Sequence, residues 1–180
     1  MENNLSNPHI RTPKTTRTIM MDVCIALLPA LVGSIVFFGL RALLVVVVSV
    51  VTCVAGEAIW QICHKQKLTI NDFSAVVTGM LLAYNLSSET SLWAVILAGL
   101  FSMIVVKQMF GGIGNNVFNP ALLGRLFLMV VYPMELMKYK VPSGVDAVST
   151  ATILSAVKHK TECSYTVLDA FFGKVPGALG

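Results

Sequence analysis

The chain has 180 residues, 56% of them hydrophobic and only 12% charged, with a mean hydropathy of +0.77. An ordinary soluble domain is about a quarter charged, so this composition excludes disorder and argues against a soluble domain. The net charge of +4 is scattered and forms no basic stripe interleaved with polar or aromatic residues, so no nucleic-acid partner is expected. Cys24, Cys53, Cys63 and Cys163 form no Cys-x-x-Cys pair, so neither a zinc nor an iron–sulfur site is encoded locally. No metal centre is expected.

A spanning helix needs about 20 mostly apolar residues. Met1 to Arg17 is polar, lacks a small-residue cleavage site after the first apolar run, and is not read as a signal peptide. Thr18 to Leu40 is the first span, with Pro29 as an internal kink. Arg41 separates it from the second, Ala42 to Ile62. Further apolar segments run from Phe73 to Leu86, from Ser91 to Met109 and from Asn119 to Tyr132. The expected fold is all-α, a polytopic integral membrane protein with about five transmembrane or half-membrane helices.

Basic residues set the orientation. Arg11, Lys14 and Arg17 precede the first span, and His64, Lys65 and Lys67 follow the second. That predicts a cytoplasmic arm over 1–17, a transmembrane region over 18–132 and an extracytoplasmic loop over 133–180. The loop's lysines cut against the rule, which long translocated loops obey less strictly.

Phe73 to Leu86 would reach only about 21 Å at 1.5 Å per residue, against a hydrocarbon core of about 30 Å. Asn119 to Tyr132 is similar. Both open with helix-start residues: Asn71 and Asp72 before one, Asn119 with Pro120 before the other. Two readings are open here. Paired half-helices would point their N-termini at a ligand or ion near the midplane, or these are ordinary spans whose ends lie a turn further out.

Gly111-Gly112-Ile113-Gly114-Asn115-Asn116 leads into the second short segment. It is neither a phosphate-binding Walker loop nor a dinucleotide fingerprint. It offers flexible backbone ahead of a helix N-terminus, suited to an anion or a polar heterocycle, or simply a tight turn. Arg125 lies inside the following apolar segment, where an arginine usually faces a partner or cavity. Glu57 either snorkels from the end of its span or belongs to an ion path, and Asp72 raises the same question. Asp22 lies near a helix end, where hydration explains it.

The stretch Asp146-x-x-Ser149-Thr150-Ala151-Thr152 resembles the target of the flavin transferase that joins FMN through its phosphate to a threonine hydroxyl. Asn7-Pro8-His9-Ile10, Ser74-Ala75-Val76-Val77-Thr78-Gly79, Lys107-Gln108-x-Phe110-Gly111-Gly112 and Phe118-Asn119-Pro120-Ala121-Leu122-x-Gly124-Arg125 extend the likeness. Together they resemble the family formed by the D subunit of the Rnf complex and the B subunit of sodium-pumping NADH:quinone reductase. The family's target has glycine where this chain has Thr150.

The resemblance implies FMN bound covalently at Thr152, with Asp146, Ser149, Thr150 and Ala151 around it. It also implies a second, noncovalent flavin or riboflavin among the helices. Asn71, Asp72, Asn116, Asn119, Arg125 and Glu57 are the candidates for that pocket or for an ion path. The implied function is that of one subunit, not active alone, of a redox-driven Na⁺ or H⁺ translocase between ferredoxin and NAD⁺. The implied partners are the ferredoxin- and NAD-handling, iron–sulfur and FMN-bearing subunits, the flavin transferase and the lipid of a bacterial or archaeal inner membrane. Family members run to about twice this length, so the chain is expected to be the N-terminal half of an inverted-repeat, transporter-like fold. The quinone reductase subunit and a passive solute or ion channel are the alternatives.

Overall fold

The computed structural model describes residues 15–66 and 68–138. The regular structure among them is helical throughout. Helix α1 covers Thr16–Phe38 and α2 covers Leu40–Cys63. Both are long and apolar enough to cross a membrane. A 3₁₀ turn at Ile70–Asp72 leads into α3, Ser74–Tyr84. Helix α4 starts at Leu92–Leu100 and continues as a π-helical segment over Phe101–Gln108. Helix α5 is Pro120–Val131, and the single turn α6 is Pro133–Leu136.

The break between α1 and α2 falls at Gly39, not at Arg41 as the charge pattern suggested. Gly39 has φ +79°, a conformation glycine adopts without a Cβ penalty. Arg41 instead lies in the first turn of α2. Its Nε donates to the Ser88 carbonyl at 3.1 Å and stands 3.6 Å from a Glu89 carboxylate oxygen. This ties the start of α2 to the α3–α4 loop.

The two short segments are short in the structure. Helix α3 has 11 residues and α5 has 12, about 17 and 18 Å at 1.5 Å per residue. Asn119 caps α5 as expected, its side chain accepting from Ala121 N at 3.0 Å with Pro120 in the first position. At α3 the capping acceptor is Asp72, whose Oδ1 takes the Ser74 N–H at 2.8 Å. Phe73 between them is held left-handed at φ +61°.

Small residues let the helices approach closely, the usual way helices associate where lipid provides no hydrophobic drive between them. Gly79 of α3 lies against the α2 backbone at Ser49 and Val50, and Ser49 Oγ donates to the Gly79 carbonyl at 2.8 Å. Gly99 of α4 faces Thr52 of α2, and Gly124 of α5 faces Ser102 and the Ala98 carbonyl of α4. Val45, Cys53, Leu82, Val95, Ala98, Met103 and Leu128 fill the core between them. Helix α1 has no buried residue. It is held partly by Tyr84, whose hydroxyl donates to the Leu27 carbonyl at 2.9 Å. Its outer surface is apolar, with Ile25, Val32 and Val36 exposed, a surface suited to lipid.

Helix α6 clasps the start of α4. The Glu135 carboxylate accepts the Ser91 N–H at 3.1 Å and the Lys138 ammonium at 2.6 Å. The hydrogen bond from Lys138, then those from Ser91, hold the Glu135 carboxyl below its ordinary value.

Candidate functional site

The residues with the strongest chemical signal lie where α2, the start of α3 and the π segment meet. Glu57 and Lys107 are each 1% exposed. Lys107 Nζ donates to Glu57 Oε1 at 2.8 Å and to Ser74 Oγ at 2.6 Å. Gln108 Nε2 donates to the same Oε1 at 2.8 Å, and Gln61 Nε2 approaches it at 3.4 Å. Gln61 is itself pinned: it donates to Thr69 Oγ1 at 2.7 Å and accepts from Thr69 N at 3.0 Å.

Local structure explains this convergence. Glu57 and Gln61 are four apart on α2 and share its inner face. Gly56 lets α4 come close, with Leu100 and Met103 beside it. The π turn holds more residues than an α turn, which brings neighbours closer in angle. Lys107 and Gln108, adjacent in sequence, therefore both reach one carboxylate. Ser74 is the first residue of α3, so its side chain is free to face the ammonium.

The accounting of this carboxylate is lopsided. Oε1 collects the donors just named, whereas Oε2 is enclosed and accepts no hydrogen bond among the described residues. A buried ion pair survives in an apolar interior only with good geometry and further hydrogen bonds. An acceptor left unmade there is a functional signal as much as a cost.

The structure divides the sequence candidates. Glu57 is buried and does not snorkel. Asp72 caps α3 one residue before Phe73 and two before Ser74, so it neighbours the Glu57 cluster, while Asn71 is exposed in the 3₁₀ turn. Asn119 is exposed and engaged in capping. Asn116 has a buried, unpartnered Oδ1 in the loop before α5. Arg125 is exposed, and its Nη1 donates to the Asn85 carbonyl at the end of α3, 2.9 Å away. No hydrogen bond among the described residues links Asn116, Asn119 or Arg125 to Glu57. Asp146, Ser149, Thr150, Ala151 and Thr152, the expected FMN site, lie outside the described residues.

Sequence reasoning missed Lys107, Gln108, Gln61, Thr69 and Ser74 as members of the Glu57 cluster. Lys107 reads in sequence as a basic residue marking the end of a span, because a single sequence cannot pair residues 50 positions apart. A lysine closing the apolar run from Leu92 to Val106 was the available signal.

The chain is 43% identical to the D subunit of the Na(+)-translocating ferredoxin:NAD(+) oxidoreductase complex of Acetobacterium woodii, over 97% of this chain and 56% of that protein. It is 37% identical to the D subunit of the proton-translocating ferredoxin:NAD(+) oxidoreductase complex of Clostridium ljungdahlii, over 85% of this chain and 47% of the other. Against the D subunit of the ion-translocating oxidoreductase complex of Shewanella denitrificans it is 33% identical over 85% of this chain and 44% of the other. The chain thus spans about half the length of the curated relatives it matches. The profile of the NQR2, RnfD, RnfE family matches residues 3–180. With its apolar helices and this match from end to end, the chain is a membrane protein that belongs to the NQR2, RnfD, RnfE family.

Proposed function

We propose that this chain forms part of the D subunit of a redox-driven ion translocase that couples electron transfer from ferredoxin to NAD⁺ with Na⁺ or H⁺ movement. The observation that carries the reading is Asp146-x-x-Ser149-x-Ala151-Thr152 in a chain similar to such a D subunit along nearly its whole length. In this reading the Thr152 hydroxyl forms the phosphoester to FMN, installed by a flavin transferase. Asp146 and Ser149 orient the loop, Ala151 is small beside the acceptor, and Thr150 places a second hydroxyl next to it where the family's target has glycine. Bound there, FMN supplies the redox chemistry, and the protein holds and tunes it. The partners are the other subunits of the complex. A second, noncovalent flavin or riboflavin belongs near the helix starts at Asn71 and Asn119, with Asn116 and Arg125 as further candidates, and Glu57 and Asp72 belong to the ion path.

The site of action is the inner membrane of a prokaryotic cell, with the N-terminus cytoplasmic. Arg11, Lys14 and Arg17 precede α1 and His64, Lys65 and Lys67 follow α2, the pattern of cytoplasmic ends. Arg17 stands over the Phe73 ring at 5.7 Å, which puts the starts of α1 and α3 together and supports this arrangement. Thr152 then falls on the opposite face, where covalent attachment keeps a flavin from dissociating.

The test is flavin on the chain itself, made in a cell that contains the transferase. The denatured subunit should fluoresce in a gel. The peptide holding Ser149 to Leu154 should gain the mass of FMN less water, and Thr152→Ala should abolish both. An unmodified, nonfluorescent peptide from the native complex refutes the flavin assignment and moves the reading to a channel or scaffold.

A further inference from the structure

We propose that Trp93 and Tyr132 form the docking platform for the isoalloxazine ring carried on Thr152, a proposal that rests on the flavin reading above. The turn after α5 builds the platform. Pro133 disfavours helical backbone at the residue before it, so α5 ends at Val131 and Tyr132 takes φ −135° and ψ 62°. The chain then enters α6, where Glu135 accepts the N–H of Ser91, the N-cap of α4. That contact brings the Tyr132 ring against Trp93, the second residue of α4, with centroids 5.0 Å apart and planes at 88°. Both rings keep an open side: Trp93 is 47% exposed and Tyr132 39%.

Their chemistry fits a flavin. Isoalloxazine is a planar, electron-poor heterocycle edged by carbonyl and nitrogen acceptors. Indole and phenol rings are electron-rich, stack on such a plane and carry one donor each at the rim. The Trp93 indole N–H and the Tyr132 hydroxyl donate no hydrogen bond among the described residues, so both donors are open to a ring laid on the pair.

Position selects the occupant. Lys138 Nζ reaches Ser91 Oγ at 3.4 Å and Glu135 Oε1 at 2.6 Å, so the chain leaves for Thr152 from beside the two rings. Thr152 lies 14 residues beyond Lys138, a path of at most about 48 Å when fully extended. A ligand on so short a tether meets a nearby surface at an effective concentration that free flavin does not reach, so a shallow platform suffices. The other aromatic pairs among the described residues are poorly placed. Phe101 stacks on Phe127, which packs against the core. Trp60 and His64 stack at the far end of α2. Arg41 at the near end touches the α3–α4 loop, and Trp60 stands 19 residues further along the helix, about 29 Å at 1.5 Å per residue.

The test reads the flavin's own emission. The full chain is made in a cell that contains the transferase and purified in detergent, and the peptide holding Thr152 is weighed to establish loading. Thr152→Ala supplies the background from any unattached flavin. An indole or phenol ring in contact with an excited flavin quenches it, by passing it an electron that then returns. The fluorescence decay of the unsubstituted protein should therefore contain a dominant short-lived component. Trp93→Leu and Tyr132→Leu should each lower the ratio of short-lived to long-lived amplitude by about tenfold, the weight of one stacking partner. Trp60→Leu should leave the ratio unchanged. Loaded proteins whose decay is the same in all variants, or lacks the short component throughout, overturn the proposal while the flavin reading stands. Absence of flavin from the peptide refutes both. If Trp93→Leu does not accumulate in the membrane, Trp93→Phe is read in its place, since phenylalanine keeps a ring in the packing but is a poor electron donor. The short component should then lengthen, and an unchanged decay overturns the proposal.

Discussion

Gly79→Ala is the sharpest test of how α2 and α3 are held. A Cβ at position 79 would stand 2.6 Å from Val50 Cα, 3.0 Å from Val50 N and 3.2 Å from the Ser49 carbonyl carbon. These are backbone atoms, so no side chain can rotate away. Ordinary carbon–carbon contact is about 3.5–4.0 Å, so the two helices must separate by about 1 Å. That stretches the 2.8 Å bond from Ser49 Oγ to the Gly79 carbonyl beyond hydrogen-bonding range. Overpacking costs about 1–3 kcal/mol, and a buried bond left unmade about 1–3 kcal/mol more. The expected loss is about 3 kcal/mol, roughly 150-fold in the folded-to-unfolded ratio. Gly33 of α1 is the control, since a Cβ there meets nothing within 4 Å. Gly33→Ala should be neutral or stabilising by up to about 1 kcal/mol through helix propensity. The assay is unfolding of the purified protein by rising SDS in mixed micelles, followed by fluorescence of Trp60 on α2 and Trp93 on α4. Unfolding of Gly79→Ala and Gly33→Ala at the same SDS fraction would refute the close-approach argument.

The clasp between α6 and α4 should depend on acid. The Glu135 carboxyl is held below its ordinary value by Lys138 and Ser91, so the stability it contributes is full above the ordinary carboxylate range. That contribution disappears as pH falls through the folded-state value. Trp93 packs edge-on against Tyr132, 5.0 Å between ring centroids, so its fluorescence should change on acidification, and Glu135→Gln should show the acid-state signal already at neutral pH. Asn119→Ala removes the acceptor of the Ala121 N–H and should cost about 1 kcal/mol, read in the same SDS titration as a shift well below that of Gly79→Ala.

The identity and order of the helices were legible in the sequence because long apolar runs admit few structures in lipid, where every backbone polar group must be satisfied internally. Pro29 within α1, the Asn119-Pro120 start and the shortness of α3 and α5 followed from local chemistry alone. The placement of the first break was off by two residues because charge was weighed above glycine's access to positive φ at Gly39. The FMN site expected at Thr152 rests on a short linear motif, which needs no tertiary contact to be recognised.

The environment of Glu57 was a different kind of fact. In sequence a glutamate one and a half turns from a helix end can snorkel or turn inward with nearly equal ease. The cluster around it draws on residues 4, 12, 17, 50 and 51 positions away, and no local pattern announces them. The sequence by itself determined which segments form apolar helices, since hydropathy and end caps act over a few turns of one chain segment. Only the tertiary structure decided that Glu57 faces Lys107, because that pairing depends on three elements packing at once. Glycines at positions 56 and 79 let them close, and a π turn presents Lys107 and Gln108 to the same oxygen.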